Sequence, residues 1–330
     1  MRSVFLFLAA TGLVFAATDP SLTRLERQIE NVSLATDGVV GVSAFHMETG
    51  RAVSVRGTEA FPMASAFKLP IAVQIMSLVD DGMLTLDKMD SLATSDLHPG
   101  SGRLTDLFFH PGVSISIANL LELAIVISDN SAADILLREA GGPAAVTARM
   151  KALGLNGIRV DRSTAQLLAD WQGVTSLPPE SQWTREMWDP LFNSVPERDH
   201  MAARRAQTKD PRDTATPDDM TKLLTRIWRK EILSGDSATL LLGIMDRCET
   251  GKGRIKGMLP QATDVAHKTG SVGGVANDIG VITLPGGAGH VALSVFTKGS
   301  GRPEEASEKA IAEVSRTIYD YFVLVPGNGR

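Results

Sequence analysis

The chain has 330 residues, of which 43% are hydrophobic and 22% charged, and its formal net charge is −5. This composition is that of a globular protein with one large or two moderate domains, and it argues against disorder as the main state. The acidic balance and the aromatic content of 5% argue against a nucleic-acid partner, which requires a basic field or a base-stacking surface.

The first predicted element is a signal peptide at residues 1–17. Arg2 precedes an apolar run at residues 4–15 that is too short to span a bilayer, and Ala16 and Ala17 offer small residues for cleavage. The alternative is an uncleaved N-terminal membrane anchor. We expect cleavage, no membrane segment in the mature protein, a periplasmic or secreted location, and a monomer.

A helix, a hairpin and a second helix are predicted next. The first helix covers residues 21–31, and two β-like runs at residues 39–47 and 52–56 fit a hairpin. The high apolar density of residues 65–79 predicts a mostly buried helix that begins at Ser65.

The middle of the chain is predicted to be helical. Apolar periodicity with glycine punctuation predicts helices at residues 119–127, 131–140 and 144–153. Residues 171–207 contain four prolines and three tryptophans, and we interpret this stretch as a long, irregular surface excursion.

The last third of the chain adds helices and strands. Helices are predicted at residues 218–233, 237–247 and 304–322, and β-like runs at 265–269, 278–283 and 291–297. The β-rich ends and α-rich middle predict an α/β fold, an α+β sandwich with an antiparallel sheet formed by both termini, plus an all-α domain. The predicted boundaries are residues 21–63 with 212–330 for the sheet domain, and 64–211 for the all-α domain, with an inserted loop at about 171–207.

Metal, cofactor and disulfide chemistry have no support in the sequence. Cys248 is the only cysteine and lies in an apolar helical pattern, so we predict a buried, inert thiol. The six histidines are scattered without ligand spacing. We predict no metal site and no cofactor.

The first motif with chemical meaning is Ser65-Ala66-Phe67-Lys68. A spacing of three on a helix puts the serine hydroxyl and the lysine amine on the same face. A nucleophilic serine needs a base to take its proton, and a lysine can be that base where burial or nearby positive charge lowers its pKa. Taken alone, the pattern also fits a solvated serine and lysine near a helix start.

The second motif is Ser128-Asp129-Asn130, which follows an apolar run and precedes another predicted helix. Such a triplet also fits a simple turn with a helix N-cap. Its functional interpretation is a proton relay through Ser128, a hydrogen bond from the Asn130 amide to substrate, and a loop held by Asp129.

The third motif is Lys268-Thr269-Gly270-Ser271, at the end of a β-like run. Lys268 would supply a fixed positive charge, and Gly270 would let substrate approach the backbone closely. The hydroxyls of Thr269 and Ser271 would hold a substrate carboxylate. The alternative is an exposed strand end with a turn.

The three motifs in this order are the signature of class A β-lactamases and penicillin-binding proteins. From about residue 25 to its end, the chain resembles the class A β-lactamase family and its serine-hydrolase relatives. Residues 212–217 before a helix, 249–255 before the third motif and 277–279 after it are also similar. The resemblance implies a serine β-lactamase or penicillin-binding-protein-like fold.

The resemblance also implies a mechanism. Ser65 attacks the β-lactam carbonyl with help from Lys68, while the backbone N–H groups of Ser65 and Ser271 hold the oxyanion. Ser128 then passes a proton to the departing ring nitrogen, and water must hydrolyse the resulting acyl-enzyme. The implied partner is a small-molecule β-lactam or a peptidoglycan-like substrate.

The sequence departs from the family at the residue that activates this water. The family places a glutamate soon after an Asp-Arg pair, but here Asp161-Arg162-Ser163 is followed by Thr164. A threonine hydroxyl cannot act as a base near neutral pH. If the alignment at Asp161 holds, the usual route of deacylation is missing.

A second stretch offers another candidate base. Trp188-Asp189-Pro190 resembles the family's Trp-Glu-Pro loop with aspartate in place of glutamate, so Asp189 is a candidate deacylation base. Its shorter side chain is a handicap, because about 1 Å of misplacement can cost roughly 100-fold in rate. Glu180 and Glu186 are weaker candidates.

Substrate preference and turnover stay open at this point. The family often anchors the substrate carboxylate with an arginine near the third motif, but residues 272–279 contain none. The main hypothesis is a β-lactamase. The alternatives are a penicillin-binding-type peptidase or esterase, and a β-lactam or cell-wall sensor that is acylated but deacylates slowly.

Overall fold

The computed structural model describes residues 19–325. The predicted signal peptide, residues 1–17, lies outside the described residues. Within residues 19–325, no helix is both long enough and apolar enough to cross a membrane.

Helices are the most frequent regular element in the described chain. Their bounds are Pro20–Ser33 (α1), Lys68–Asp80 (α2), Leu104–Leu107 (α3), Ile117–Val126 (α4), Asn130–Glu139 (α5), Pro143–Ala152 (α6), Thr164–Trp171 (α7), Trp188–Asn193 (α8), Glu197–Gln207 (α9), Pro217–Trp228 (α10), Gly235–Asp246 (α11) and Glu304–Leu324 (α12). The strands are Val39–His46 (β1), Ala52–Val55 (β2), Phe61–Pro62 (β3), Met89–Ser91 (β4), Ser114–Ser116 (β5), Thr214–Ala215 (β6), Val265–Val272 (β7), Val275–Leu284 (β8) and Gly289–Lys298 (β9).

Both ends of the chain build one antiparallel sheet with the strand order β2-β1-β9-β8-β7. The two ends meet where β1 pairs with β9, in a register that places Val42 opposite Val295. The prediction of an antiparallel sheet formed by both termini is confirmed. The domain boundaries given above stay a prediction.

The sheet separates two hydrophobic cores because successive side chains of a strand point to opposite faces. In β9, Leu293 and Val295 pack with α1 and α12 on one face. Ala292 and Phe296 point to the other face and join the core of the helical region. The third motif lies on the edge strand β7, which borders the turn that carries Ser65.

Helix α2 occupies the centre of the helical region and is apolar nearly all round, as expected of a buried helix. Pro70 is tolerated because it lies in the first turn, where its missing N–H has no intrahelical partner. The predicted single helix from Ser65 is instead divided into a 3₁₀ turn, Ala64–Phe67, and α2. In a 3₁₀ turn, residues three apart eclipse each other, which keeps Ser65 and Lys68 on one side.

Two features of the middle of the chain differ from the expectation. A small sheet of β4 and β5 lies within the region predicted to be all-α. Residues 171–207 are less irregular than expected, because they contain α8 and α9. Trp183 and Trp188 in this stretch are buried against each other and against His98, so part of it has its own small core.

Candidate active site

Ser65 lies on a 3₁₀ turn that the sheet holds firmly. Ala64 has a φ of 45°, a left-handed conformation that is costly for a residue with a Cβ and is typical of functional turns. The side-chain amide of Asn277 on β8 donates to the carbonyls of Pro62 (2.8 Å) and Met63 (2.9 Å). These bonds fix the turn that presents Ser65 to the cleft.

Gly270 explains how β7 comes so close to this turn. A Cβ at this position would lie 2.3 Å from the Met63 carbonyl oxygen and 2.8 Å from the Ala66 nitrogen. Gly270 therefore lies close to the backbone of the turn that carries Ser65, whereas the sequence predicted a close approach of substrate to Gly270. Gly270 allows the first and third motifs to lie side by side.

Lys68 is buried directly behind Ser65 and is held by the second motif. Its Nζ donates to the Ser128 carbonyl (2.5 Å), the Ser128 Oγ (3.2 Å) and the Asn130 Oδ1 (2.8 Å). Its hydrogen bonds within the described part of the chain do not include Ser65. Burial, reinforced by the charge of Lys268, holds the pKa of Lys68 well below its usual value, although Asp129 and Asp134 oppose this shift.

Ser128 lies between the two lysines. Its Oγ is 3.0 Å from the Lys268 Nζ and 3.2 Å from the Lys68 Nζ, and its φ of 61° is again left-handed. Lys268 also donates to the Thr269 carbonyl (2.8 Å). Burial and the nearby Arg254 lower the pKa of Lys268 to about 8, against the opposing effect of Cys248 and Asp278. A hydroxyl in contact with two amines can pass a proton in either direction.

Asp129 ties the second motif to a neighbouring loop. Its carboxylate accepts from the backbone N–H groups of Arg103 (2.6 Å) and Leu104 (2.9 Å) and also caps α5 through Ala132 (2.9 Å). Asn130 donates from Nδ2 to the Pro99 carbonyl (3.0 Å). The role predicted for Asp129, to hold the loop, agrees with this geometry.

An arginine does reach the end of the site where the third motif predicts a substrate carboxylate, and it comes from residue 254 rather than from residues 272–279. Arg254 Nη2 donates to the Ser271 Oγ (2.6 Å), and Glu304 and Glu308 of α12 pair with its guanidinium. Arg254, Thr269 and Ser271 line the cleft together. A guanidinium beside hydroxyl groups suits a carboxylate ligand.

Cys248 is buried, as predicted, but its surroundings are more polar than expected. Its Sγ lies 3.3 Å from the Thr250 Oγ1, which in turn is 2.6 Å from the Thr269 Oγ1. Burial raises the pKa of the thiol, but His267, Lys268 and Thr250 together outweigh burial and lower the pKa to about 7. His267 is held by Asp278, 2.9 Å away.

Thr164 stands at the opposite wall of the cleft, at the start of α7. Its backbone N–H donates to the Asp134 Oδ1 (2.6 Å), and its hydroxyl is buried without a hydrogen-bond partner among residues 19–325. The structure does not bring Asp189 to this wall. Asp189 is exposed on α8 and does not line the cleft, and Glu180 and Glu186 are exposed as well.

Asp161 and Arg162 lie at the start of the long segment that carries Thr164, and both contact Asp213 at the end of this segment. Arg162 Nε donates to the Asp213 Oδ2 (2.6 Å), and the backbone N–H groups of Asp161 (2.7 Å) and Arg162 (3.1 Å) donate to the other oxygen. This buried ion pair joins two points 51 residues apart in the sequence.

All three motifs open into one cleft of about 400 Å³. Trp171 of α7 closes one end, where its ring packs against Gly273 so closely that a Cβ there would lie 2.2 Å away. Among the described residues that line the cleft, none is a carboxylate or an imidazole. The cleft therefore offers a serine, two buried amines, a hydroxyl between them and a guanidinium.

Comparisons with known proteins agree with this arrangement. The sequence model of a family described as "Beta-lactamase enzyme family" matches residues 24–322. The chain is 28% identical to β-lactamase VEB-1 of Pseudomonas aeruginosa, over 98% of each protein. It is 27% identical to the extended-spectrum β-lactamase PER-1 of the same species, over 97% of this chain and 93% of the relative.

Solved structures give the same result. A β-lactamase from Chitinophaga pinensis superposes with a TM-score of 0.74 at 27% identity, over 90% of this chain and 98% of the other. An ancestral class A β-lactamase superposes with a TM-score of 0.72 at 30% identity, over 90% and 99%.

Proposed function

The chain belongs to the β-lactamase enzyme family, and from this membership we propose that it is a serine hydrolase that opens β-lactam rings through an acyl-enzyme on Ser65. We assign the catalytic residues from one observation. The three motifs converge on one cleft, where Ser128 contacts both Lys68 and Lys268. This convergence supports the roles that the resemblance implied.

In the proposed first half-reaction, the Ser65 Oγ attacks the lactam carbonyl carbon and gives its proton to a neutral Lys68. Burial lowers the pKa of Lys68 well below its usual value and so raises the fraction of neutral amine that can accept the Ser65 proton. The backbone N–H groups of Ser65 and Ser271 stabilise the oxyanion. When the C–N bond breaks, Ser128 gives its proton to the ring nitrogen and takes from Lys68 the proton that Lys68 received from Ser65, so Lys68 is neutral again.

We assign recognition of the substrate carboxylate to the end of the cleft that the third motif lines. Thr269, Ser271 and Arg254 present hydroxyl and guanidinium donors there, and Lys268 adds a buried positive charge. Asn130 lines the cleft beside Ser65 and can donate to the substrate amide. We assign Glu304 the role of orienting Arg254 and Ser271, because its carboxylate accepts from both.

The proposed location is the periplasm or the outside of the cell, where a β-lactamase confers antibiotic resistance by destroying the drug before it reaches its target. The signal peptide predicted at residues 1–17 supports this location. Sequencing the N-terminus of the exported protein tests it, with cleavage expected near Ala16 or Ala17.

The experiment that tests the function is turnover of a chromogenic cephalosporin by the purified mature chain. We expect many product molecules per enzyme molecule, with a transient acyl-enzyme adduct of one substrate mass in the intact mass spectrum. Labelling that stops at one equivalent would instead assign the chain to the slowly deacylating alternatives. Cleavage of a D-Ala-D-Ala peptide would then separate a peptidase from a sensor.

The pH dependence of acylation follows from Lys268. Because the pKa of Lys268 is lowered to about 8, its positive charge is present below that pH and is lost as the pH rises through it. We expect kcat/KM for a carboxylate-bearing β-lactam to fall above about pH 8. In Lys268→Arg, whose guanidinium keeps its charge to pH ≳ 12, this fall should disappear; an unchanged fall would assign it to another group.

A further inference from the structure

Ser101 is a cleft residue whose hydroxyl shares two acceptors with Lys68. Its Oγ donates to the Ser128 carbonyl at 2.7 Å and lies 3.3 Å from the Asn130 Oδ1. The Lys68 Nζ donates to the same two oxygens, at 2.5 Å and 2.8 Å. The two donors therefore meet at the second motif, Lys68 from the buried side and Ser101 from the cleft that it lines.

The loop that carries Ser101 is held in place by other bonds. The Ser101 carbonyl accepts from the Asn130 N–H (2.9 Å), and the Pro99 carbonyl accepts from the Asn130 Nδ2 (3.0 Å). Farther along the loop, the Thr105 Oγ1 donates to the His98 carbonyl (2.5 Å). The Ser101 hydroxyl is thus not needed to hold its own loop.

Lys68 has to give up a hydrogen bond when it becomes a base. A charged lysine has three N–H donors, and Lys68 uses them on the Ser128 carbonyl, the Ser128 Oγ and the Asn130 Oδ1. The neutral amine has two N–H donors and a lone pair, and the lone pair has to face Ser65. One of the three oxygens then loses its lysine donor, and a buried acceptor without a donor costs free energy.

Ser101 is placed to remove that cost, because its hydroxyl already contacts two of the three oxygens. On the premise of the proposed function, we propose that Ser101 is a positioning residue for Lys68. When Lys68 is neutral, the Ser101 hydroxyl donates to the oxygen of Ser128 or Asn130 that has lost its lysine donor. Ser101 thereby favours the neutral amine that takes the Ser65 proton, and it exchanges no proton with the substrate.

The same bond fixes Ser128 while Lys68 changes its own bonds. Ser128 has a φ of 61°, a conformation that a residue with a Cβ keeps only where its surroundings hold it. Its carbonyl accepts from both Lys68 and Ser101. With Ser101 in place, this carbonyl stays bonded when Lys68 turns towards Ser65, and the Ser128 Oγ keeps its place between the two lysines.

The test is the pH profile of acylation in Ser101→Ala. Loss of the hydroxyl should disfavour neutral Lys68 and raise its pKa, because the neutral form is the one that needs the extra donor. The rise of the acylation rate with pH should move up by about 0.5 to 1 pH unit, the worth of one hydrogen bond. At a fixed pH on this rise, the rate should therefore fall about 3- to 10-fold. Stopped-flow acylation by benzylpenicillin measures the profile below about pH 8, where Lys268 keeps its charge.

Two further variants separate the hydroxyl from the loop that carries it. Ser101→Thr keeps the hydroxyl, so its profile should return to that of the wild type. Thr105→Val is the matched control, because it removes a hydroxyl of the same loop that bonds to His98 and Ser131 instead. It should not shift the profile. The charged groups that face Lys68 are unchanged in every variant: Lys268 of β7, Asp129 before α5 and Asp134 of α5.

Structural damage alone would lower the rate by a common factor at every pH and leave the midpoint of the rise unchanged. An unshifted midpoint in Ser101→Ala would therefore overturn the inference, as would an equal shift in Thr105→Val. A Ser101→Thr profile that stays like that of Ser101→Ala would overturn it too. In each of these cases the wild type is still acylated and the proposed function stands. A wild type that benzylpenicillin does not acylate at any pH would instead contradict the proposed function itself.

Discussion

Replacing Ser65 with alanine is expected to lower turnover of a chromogenic cephalosporin by about 10⁶-fold, as loss of the nucleophile does in serine hydrolases. The variant keeps the 3₁₀ turn, because Asn277 holds that turn through the carbonyls of Pro62 and Met63. Only the bond-forming oxygen is lost. Steady-state rates and the absence of an adduct in the intact mass spectrum check the prediction.

Ser194→Ala is the matched control, since Ser194 is exposed after α8 and its hydroxyl donates, among residues 19–325, to the Leu191 carbonyl alone. It should leave both turnover and adduct formation unchanged. An adduct that persists in Ser65→Ala would assign the nucleophile to another residue. Ser128 would be the first to examine, because its Oγ contacts two amines.

The parts of the fold that the sequence predicted well depend on local patterns. The β-like runs at residues 39–47 and 291–297 predicted strands, and these pair in the central sheet. The three motifs carried their chemistry in short, fixed spacings, and the structure places them around one cleft. Patterns of this kind can be recognised within a short segment, without knowing which distant residues pack against it.

The parts that sequence reasoning missed depend on contacts between distant residues. Arg254 is held beside Ser271 by Glu304 and Glu308, about 50 residues later, and by the carbonyls of Gly270 and Asn277 on the sheet. The fragment Arg254-Ile255 before the third motif is the signal in the sequence, whereas the resemblance to the family pointed to residues 272–279 for an arginine. The sequence likewise does not show why residue 270 is a glycine. The space for a Cβ at this position is taken by the backbone around Met63, which is distant in the sequence.

The inserted stretch shows the same limit. Its prolines predicted irregular chain, yet Trp183 and Trp188 are buried against His98 and Ala165, which lie in other elements. Burial of Trp188 turns the next residue, Asp189, out to solvent. The likeness of this segment to the family's Trp-Glu-Pro loop therefore did not place a carboxylate in the cleft.

Replacing Lys68 with methionine is expected to slow acylation by about 10²- to 10⁴-fold, the usual contribution of a general base. Methionine has similar length and suits a buried position, but it removes the amine that donates to Ser128 and Asn130. Stopped-flow acylation by benzylpenicillin measures the loss.

Lys68→Arg distinguishes a base from a fixed charge. Arginine keeps the positive charge and can still donate to Ser128 and Asn130, but it does not lose its proton at any pH the protein survives. If Lys68 acts as a base, Lys68→Arg should be as slow as Lys68→Met in acylation, and the rise of rate with pH should be absent in both. An arginine variant that acylates at near the wild-type rate would show that charge alone suffices, and the proton of Ser65 would then have to leave through Ser128 and Lys268.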